Sequence, residues 1–287
     1  MVLLPIGKSV ITGFADEDYA EFQRRIQQKV GIRLTDYKPD QMRRRISAFA
    51  ERCGHQSFMS YFLAMEKDPV LMSAFLDKMT INVSELLRNP PRFDDLLHKV
   101  LPDLLRTKRP GSNLSVWSAG CSYGAEAYTL AMLFEELPQR IPYNIIGTDI
   151  DREILAKARL AQFNSADVNN VSPERRQRFF EGGTDGSHSA KAALRANISF
   201  RQHDLLADKY PAQEYDLIVC RNVVIYFTDE AKERIYRQFF AALKPGGVLF
   251  VGGTERLADH RTIGYDLVIP FFYKKPLGAV PEKRHAA

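Results

Sequence analysis

The chain has 287 residues, 45% of them hydrophobic and 26% charged, with a mean hydropathy of −0.28. This composition excludes a disordered or fibrous chain, and the length suits two modest domains or one large one. Forty basic against 35 acidic side chains give a net charge of +5, and residues 1–110 alone hold 18 basic and 14 acidic. The excess therefore belongs to the N-terminal third, which suggests an acidic partner there.

Three cysteines, Cys53, Cys121 and Cys220, lie far apart with no C-x-x-C pair, as expected of a reducing compartment. Met1 to Phe14 carries one lysine and no cleavage-like apolar core, and no apolar run approaches about 18 residues. A cytoplasmic protein without membrane insertion is expected.

In chain order, Asp16 to about Thr80 has helical spacing. Tyr19, Phe22, Ile26 and Val30 form one stripe behind an acidic first turn, and Met42, Ile46, Phe49 and Cys53 a second. Phe58, Tyr61, Phe62 and Met65 form a third, and Val70, Leu71, Phe75, Leu76 and Met79 a fourth. Gly31, Pro39, Gly54 and Pro69 separate them, which predicts a small helical bundle. A further helix runs from Phe93 to about Arg106.

After Asn113 short apolar runs alternate with helical stretches. The runs are Leu114–Ser118, Tyr143–Gly147, Ile198–Gln202, Tyr215–Cys220 and Gly247–Val251; the helices span 125–137, 151–161 and 229–243. That alternation predicts an α/β domain with a parallel sheet covered on both faces. Residues 164–196, with Gly182-Gly183 and Asp185-Gly186, read as an insert before the third strand. Thr262 to Lys274, with β-rich flanks around Gly264, reads as antiparallel edge strands.

Trp117 to Glu126 reads as strand, glycine turn and helix start. Open α/β sheets bind ligands beyond the carboxyl ends of their strands, where close backbone approach calls for glycine. The spacing Gly120-x-x-x-Gly124 disfavours a dinucleotide, which would use G-x-G-x-x-G. Asp149 ends the next strand, 25 residues after Gly124, where an acid accepts hydrogen bonds from ribose hydroxyls. A ribose-bearing ligand without pyrophosphate follows, and S-adenosylmethionine (SAM) fits. A sugar or phosphate enzyme reusing the same turn is the plainer alternative.

The same letters, Gly120-Cys121-Ser122-Tyr123-Gly124, match the G-x-S-x-G elbow of serine hydrolases, with His260 as the available base but no oxyanion loop. Arg221 and Asn222 follow the fourth strand, where DNA amino-methyltransferases carry a D/N-P-P-Y/F platform that is missing here. Leu243-Lys244-Pro245-Gly246-Gly247 reads as a turn before the last central strand. The six histidines lack ligand spacing, so no metal is expected.

At four blocks the chain resembles the CheR family, the protein-glutamate O-methyltransferases of bacterial chemotaxis. These are Thr80 to Asn89, Trp117 to Tyr128, Gly147 to Asp151, and Cys220 to Phe227. The resemblance implies a Rossmann-like SAM-dependent methyltransferase sheet with an N-terminal all-α domain and a small antiparallel β insert. It implies a receptor-recognition domain at 1–80, a linker at 81–112 that contributes to the cofactor site, and a methyltransferase domain at 113–287.

Residue by residue, it implies that Asn82, Ser84 and Arg88 close over SAM (product S-adenosylhomocysteine). Glu126 then lies near its methionine end, Asp149 on the ribose, Asp204 and Leu205 beside adenine, and Arg221 and Asn222 complete the site. Asp204 departs from the Asn-Leu pair frequent in relatives. Arg88 and Tyr226 are the expected neighbours of the transferring methyl. The partner implied is the helical methylation region of chemoreceptors, docking on Arg43, Arg44 and Arg45, with the protein a monomer. The insert is short and rich in Gly, Ser and Ala, so binding of a receptor tail peptide is expected to be weak or absent.

Two other classes remain on the residues alone. A nucleic-acid methyltransferase explains the pI of about 9.0, but the basic third lacks interleaved aromatics. A non-catalytic SAM-binding adaptor requires lost cofactor residues, and only Asp204 departs.

Overall fold

A computed structural model describes residues 14–79, 83–109 and 111–278. The chain divides into two units, Met1–Ile81 and Asn82–Ala287.

The first unit holds α1 (Asp16–Val30), α2 (Pro39–Arg52), α3 (Phe58–Lys67) and α4 (Pro69–Met79). Acidic Asp16, Glu17 and Asp18 favour the α1 start, and Pro39 occupies the first turn of α2, where its missing N–H costs nothing. Ser57 and Ser60 cap α3 reciprocally, and the Asp18 carboxylate accepts from the N–H groups of Phe58 (2.6 Å) and Met59 (3.2 Å). One acid thus ties α1 to the α3 N-terminus.

The stripes converge on buried Phe22, Ile26, Met42, Ile46, Phe58, Tyr61, Phe62 and Phe75. Two stripe members are exposed instead. Cys53 lies beyond the end of α2 and is exposed, and Val70, in the first turn of α4, is 77% exposed.

In the second unit, α5 (Pro90–Asp95), a π-helical stretch Leu96–Val100 and α6 (Leu101–Arg106) precede the sheet. The strands are β1 (Leu114–Ala119), β2 (Tyr143–Asp149), β3 (Gln162–Phe163), β4 (Phe180–Gly182) and β5 (His188–Ala190). They continue with β6 (Ile198–Gln202), β7 (Tyr215–Cys220), β8 (Leu243–Val251), β9 (Asp266–Ile269) and β10 (Phe272–Lys274). The main sheet has the order β6-β2-β1-β7-β8-β10-β9, and β6 through β8 run parallel. β7 is buried at every position, as a central parallel strand must be.

Helices α7 (Ala125–Glu135), α8 (Arg152–Leu160) and α11 (Asp229–Ala242) make the crossovers. The insert forms a second sheet, β3-β5-β4, antiparallel throughout, with α9 (Pro173–Phe179) and α10 (Ala192–Arg195). It starts at Gln162, two residues before the expected boundary.

Two turns differ from the expectation. Leu243 to Gly247 belongs to β8: Tyr215 pairs Leu243, Leu217 pairs Val248, and the surplus residues bulge between them. Gly264 ends the short helix α12 (His260–Ile263), and the β9–β10 hairpin turns later, at Pro270-Phe271. Glycine and proline marked a break in both places, but the pairing partner decided which kind.

Candidate functional site

Chain order leaves β1 toward β2 on one side and β7 toward β8 on the other. The crevice at the carboxyl ends of β1 and β7 is therefore the topological switch point, where doubly wound sheets bind ligands. Gly120 opens the turn after β1 with φ +75°, and a Cβ there would run into the methyl groups of Val223. The N–H groups of Gly120 and Cys121 both donate to the Thr148 carbonyl at 2.8 Å, which locks the turn onto β2.

Asp149, at the end of β2, is 8% exposed. Its carboxylate accepts from the N–H of Ser122 (2.8 Å) and of Asp151 (3.1 Å). Burial raises its pKa, and those two donors oppose the shift. Lone pairs remain on both oxygens, so a ligand diol is a compatible further donor.

Glu126, in the first turn of α7, accepts from the Ser118 hydroxyl at 2.7 Å and lies 3.8 Å from Arg221. Burial pushes its carboxyl up to about 6, against the pull of Arg221 and Ser118. Arg221 follows β7, with its guanidinium 4.7 Å from the Phe93 ring centroid and 4.9 Å from that of Phe250. One Nη donates to the Arg88 carbonyl at 2.8 Å; Nε is buried without a hydrogen-bond partner among the described residues. A buried acid and a buried arginine with a spare donor suit an amino-acid zwitterion, and the sealed Gly120 turn suits a close ribose. The residues fit SAM.

The segment before α5 runs across this crevice. Arg88 folds back, its guanidinium donating to the Val83 carbonyl at 2.9 Å, so its backbone oxygen, not its side chain, meets Arg221. The Ser84 carbonyl accepts from the Tyr123 hydroxyl. Asn82 lies outside the described residues.

Asp204 and Leu205 follow β6. The Asp204 carboxylate is half-buried, raised in pKa by that burial, and accepts from the Leu206 N–H at 2.8 Å. The buried Leu205 accepts at its carbonyl from the Tyr210 hydroxyl at 2.9 Å. Tyr226 ends the short 3-10 helix Val224–Tyr226 and is half-exposed. Glu126, Arg221 and the Arg88 backbone are thus brought into one cluster and Asp149 joins the glycine turn, while Asp204 and Leu205 sit at the far edge of the sheet.

One residue of the crevice escaped the sequence reading. Glu255 is 4% exposed, and its carboxylate accepts four backbone N–H groups: Asn222 (2.6 Å), Gly252 (2.8 Å), Val223 (2.9 Å) and Val224 (3.0 Å). Burial raises its pKa, and these donors oppose the rise. Asn222 holds φ +61°, in the left-handed region that asparagine tolerates, and a partner is needed to select it over the alternatives. Glu255 is that partner, and a Cβ on Gly252 would meet its carboxylate. The available signal was an acid two residues after a glycine pair that follows a buried strand.

The base expected for the alternative elbow is engaged elsewhere. Ser122 offers its N–H to Asp149, whereas His260 lies on α12, contacting the Leu257 carbonyl and the Tyr273 ring of β10. Of the expected docking arginines, Arg43 pairs with Asp16 and donates to the Phe14 carbonyl at 2.6 Å, and Arg45 donates to the Met79 carbonyl at 3.1 Å. Arg44 is exposed, whereas Arg43 and Arg45 are half-buried and already engaged within the helical unit.

A parallel sheet with a glycine turn, a strand-end acid and a buried Glu–Arg pair at its switch point defines a Rossmann-like, SAM-dependent methyltransferase. Residues 82–267 match the family model of the CheR methyltransferase SAM binding domain, and residues 17–80 that of the CheR methyltransferase all-alpha domain. The chain belongs to the CheR methyltransferase family. It is 40% identical to a chemotaxis protein methyltransferase of Listeria monocytogenes over 91% of this chain and 98% of that protein. A chemotaxis protein methyltransferase of Vibrio parahaemolyticus is 33% identical over 85% of this chain and 90% of its own. A SAM-dependent methyltransferase structure from Mesorhizobium loti is 21% identical over 52% of this chain and 51% of that one, with a TM-score of 0.31. No helix among the described residues is long and apolar enough to cross a membrane.

Proposed function

We propose that this methyltransferase esterifies glutamate side chains on the helical methylation region of chemoreceptors. The observation that carries the reading is the pairing, in one chain, of both family domains with relatives named chemotaxis protein methyltransferases over nearly their whole length. SAM, when bound, supplies an electrophilic methyl on a sulfonium. A glutamate side chain is already ionised at neutral pH and needs no general base, only in-line placement. In this reading Asp149 accepts the ribose hydroxyls, Glu126 and Arg221 face the methionine end, and Asp204 and Leu205 line the adenine side. Asn82, Ser84 and Arg88 close over the donor, and Arg88 and Tyr226 flank the methyl; Asn222 is held ready by Glu255. Attraction between a carboxylate and the sulfonium about 4 Å apart is on the order of 4 kcal/mol at an effective dielectric of 20.

The domain roles follow: residues 1–80 recognise the receptor, 81–112 link and close, and 113–287 hold SAM. The insert's β4–β5 hairpin is short, and we assign it no dependence on a receptor tail. The test is transfer of labelled methyl from SAM to a chemoreceptor cytoplasmic fragment. Base-labile label on the fragment is expected; label confined to nucleic acid, or stable to base, overturns the reading.

A further inference from the structure

Tyr123 sits inside the glycine turn, yet the ligand chemistry above leaves it without a task. Its hydroxyl donates to Ser84 and contacts Asp167 Oδ1 at 2.8 Å, reaching the strap before α5 and the insert together. A phenol has a single proton, so the two oxygens share it. Desolvation and the adjacent Asp167 carboxylate hold its pKa above the usual phenol value, so it remains a donor.

Asp167 is fixed in turn: its Oδ2 accepts from the Asn164 N–H at 2.8 Å, and its carbonyl accepts from the Leu86 N–H at 3.0 Å. One residue along, the Leu87 N–H donates to Thr129 Oγ1 of α7 at 2.9 Å, and Leu87 and Asn89 hold φ +56° and +64°. Residues 83–89 thus form a strained strap, pinned at Ser84, Leu86, Leu87 and Arg88 across the ends of β1 and β7. Pins at Ser84 and Leu86 come from Tyr123 and Asp167.

We propose that Tyr123 and Asp167 are positioning residues that clasp the strap over the methyl-donor site, so that donor affinity depends on an insert residue that need not touch the donor. The inference rests on the assignment of the strap to the SAM site. Ordering the strap before the donor arrives removes an entropy cost from binding. A strap freed of the clasp must be ordered at the moment of binding, and affinity falls by the fraction of time it lies closed.

The test uses the full chain, with S-adenosylhomocysteine as the calorimetric probe. Tyr123→Phe keeps the ring against Phe163 and deletes only the hydroxyl. We expect its Kd, and the KM for SAM, to rise about tenfold, with kcat within about twofold of the parent. Amide exchange at 83–89 should quicken in the ligand-free protein. Asp167→Ala should act alike, and the double variant should lose little more than either single one, because the pair works as a unit. Failure of the parent chain to bind the probe sinks the site assignment itself. A parent that binds beside a Tyr123→Phe variant of equal Kd sinks the clasp, whether or not the variant melts earlier.

Discussion

The crevice of the sheet unit and the surface of the helical unit handle charge in opposite ways. In the crevice Glu126, Asp149, Arg221 and Glu255 are withdrawn from water and held by backbone N–H groups, a serine hydroxyl or aromatic faces. In the helical unit Arg24 and Arg25 pair with Glu21, and Arg43 with Asp16, where solvent screens them. Buried charges are costly to strand and so fix geometry, whereas exposed pairs contribute about 0–1 kcal/mol each and can be exchanged. The difference predicts which substitutions change chemistry and which change only encounter.

The largest effect is expected at Glu255. Alanine there strands the N–H groups of Asn222, Val223, Val224 and Gly252, and each unsatisfied buried group costs about 1–3 kcal/mol. Urea unfolding should show a loss of roughly 3 kcal/mol or more, with kcat/KM down at least about 100-fold. Glutamine, which keeps one carbonyl acceptor, should recover part of both. A Glu255→Ala variant with parental stability would mean that the loop after β7 is held by something else.

Next in size is a pH effect at Glu126. Its carboxyl, at about 6 against an ordinary 4.5, binds its proton more tightly in the folded chain. Its contribution to stability is therefore full below about 4.5 and lost as pH rises through about 6. Glu126→Gln stays neutral, so its melting temperature relative to the parent should climb across that window. Donor binding should show the mirror image. Affinity for SAM should rise with pH through about 6 in the parent, as the carboxylate forms opposite a cationic ligand, and stay flat in the variant. Identical pH profiles by calorimetry would remove Glu126 from the methionine end.

Much of this was legible in the chain because it is periodic. Tyr215–Cys220 reads as a buried strand from its apolar run, and Met42 and Ile46 read as a helix face from their spacing. What stayed hidden depends on partners distant in sequence. Glu255 meets Asn222 across 33 positions, and Tyr123 meets Ser84 across 39 and Asp167 across 44. No local pattern encodes such contacts. Lys244 to Gly247 misled for the same reason, since Pro and Gly look alike in a turn and in a bulge.

The smallest effect, and the sharpest test of the contrast, lies on α2. Residues 1–110 carry an excess of four positive charges, but Arg43 and Arg45 are committed within their own unit. Charge reversal at Arg43 would break its pair with Asp16 and confound docking with stability. Arg44→Glu changes an exposed side chain and should leave the unfolding free energy within about 0.5 kcal/mol and SAM affinity untouched. If the helical unit meets an acidic receptor surface, the KM for a receptor fragment should rise about three- to fivefold at low salt. That increase should shrink as salt screens the encounter, because a rim charge acts mainly on association. An unchanged KM at low salt would make Arg44 part of a merely solvated helix face, and would leave recognition by the helical unit to shape and apolar contact.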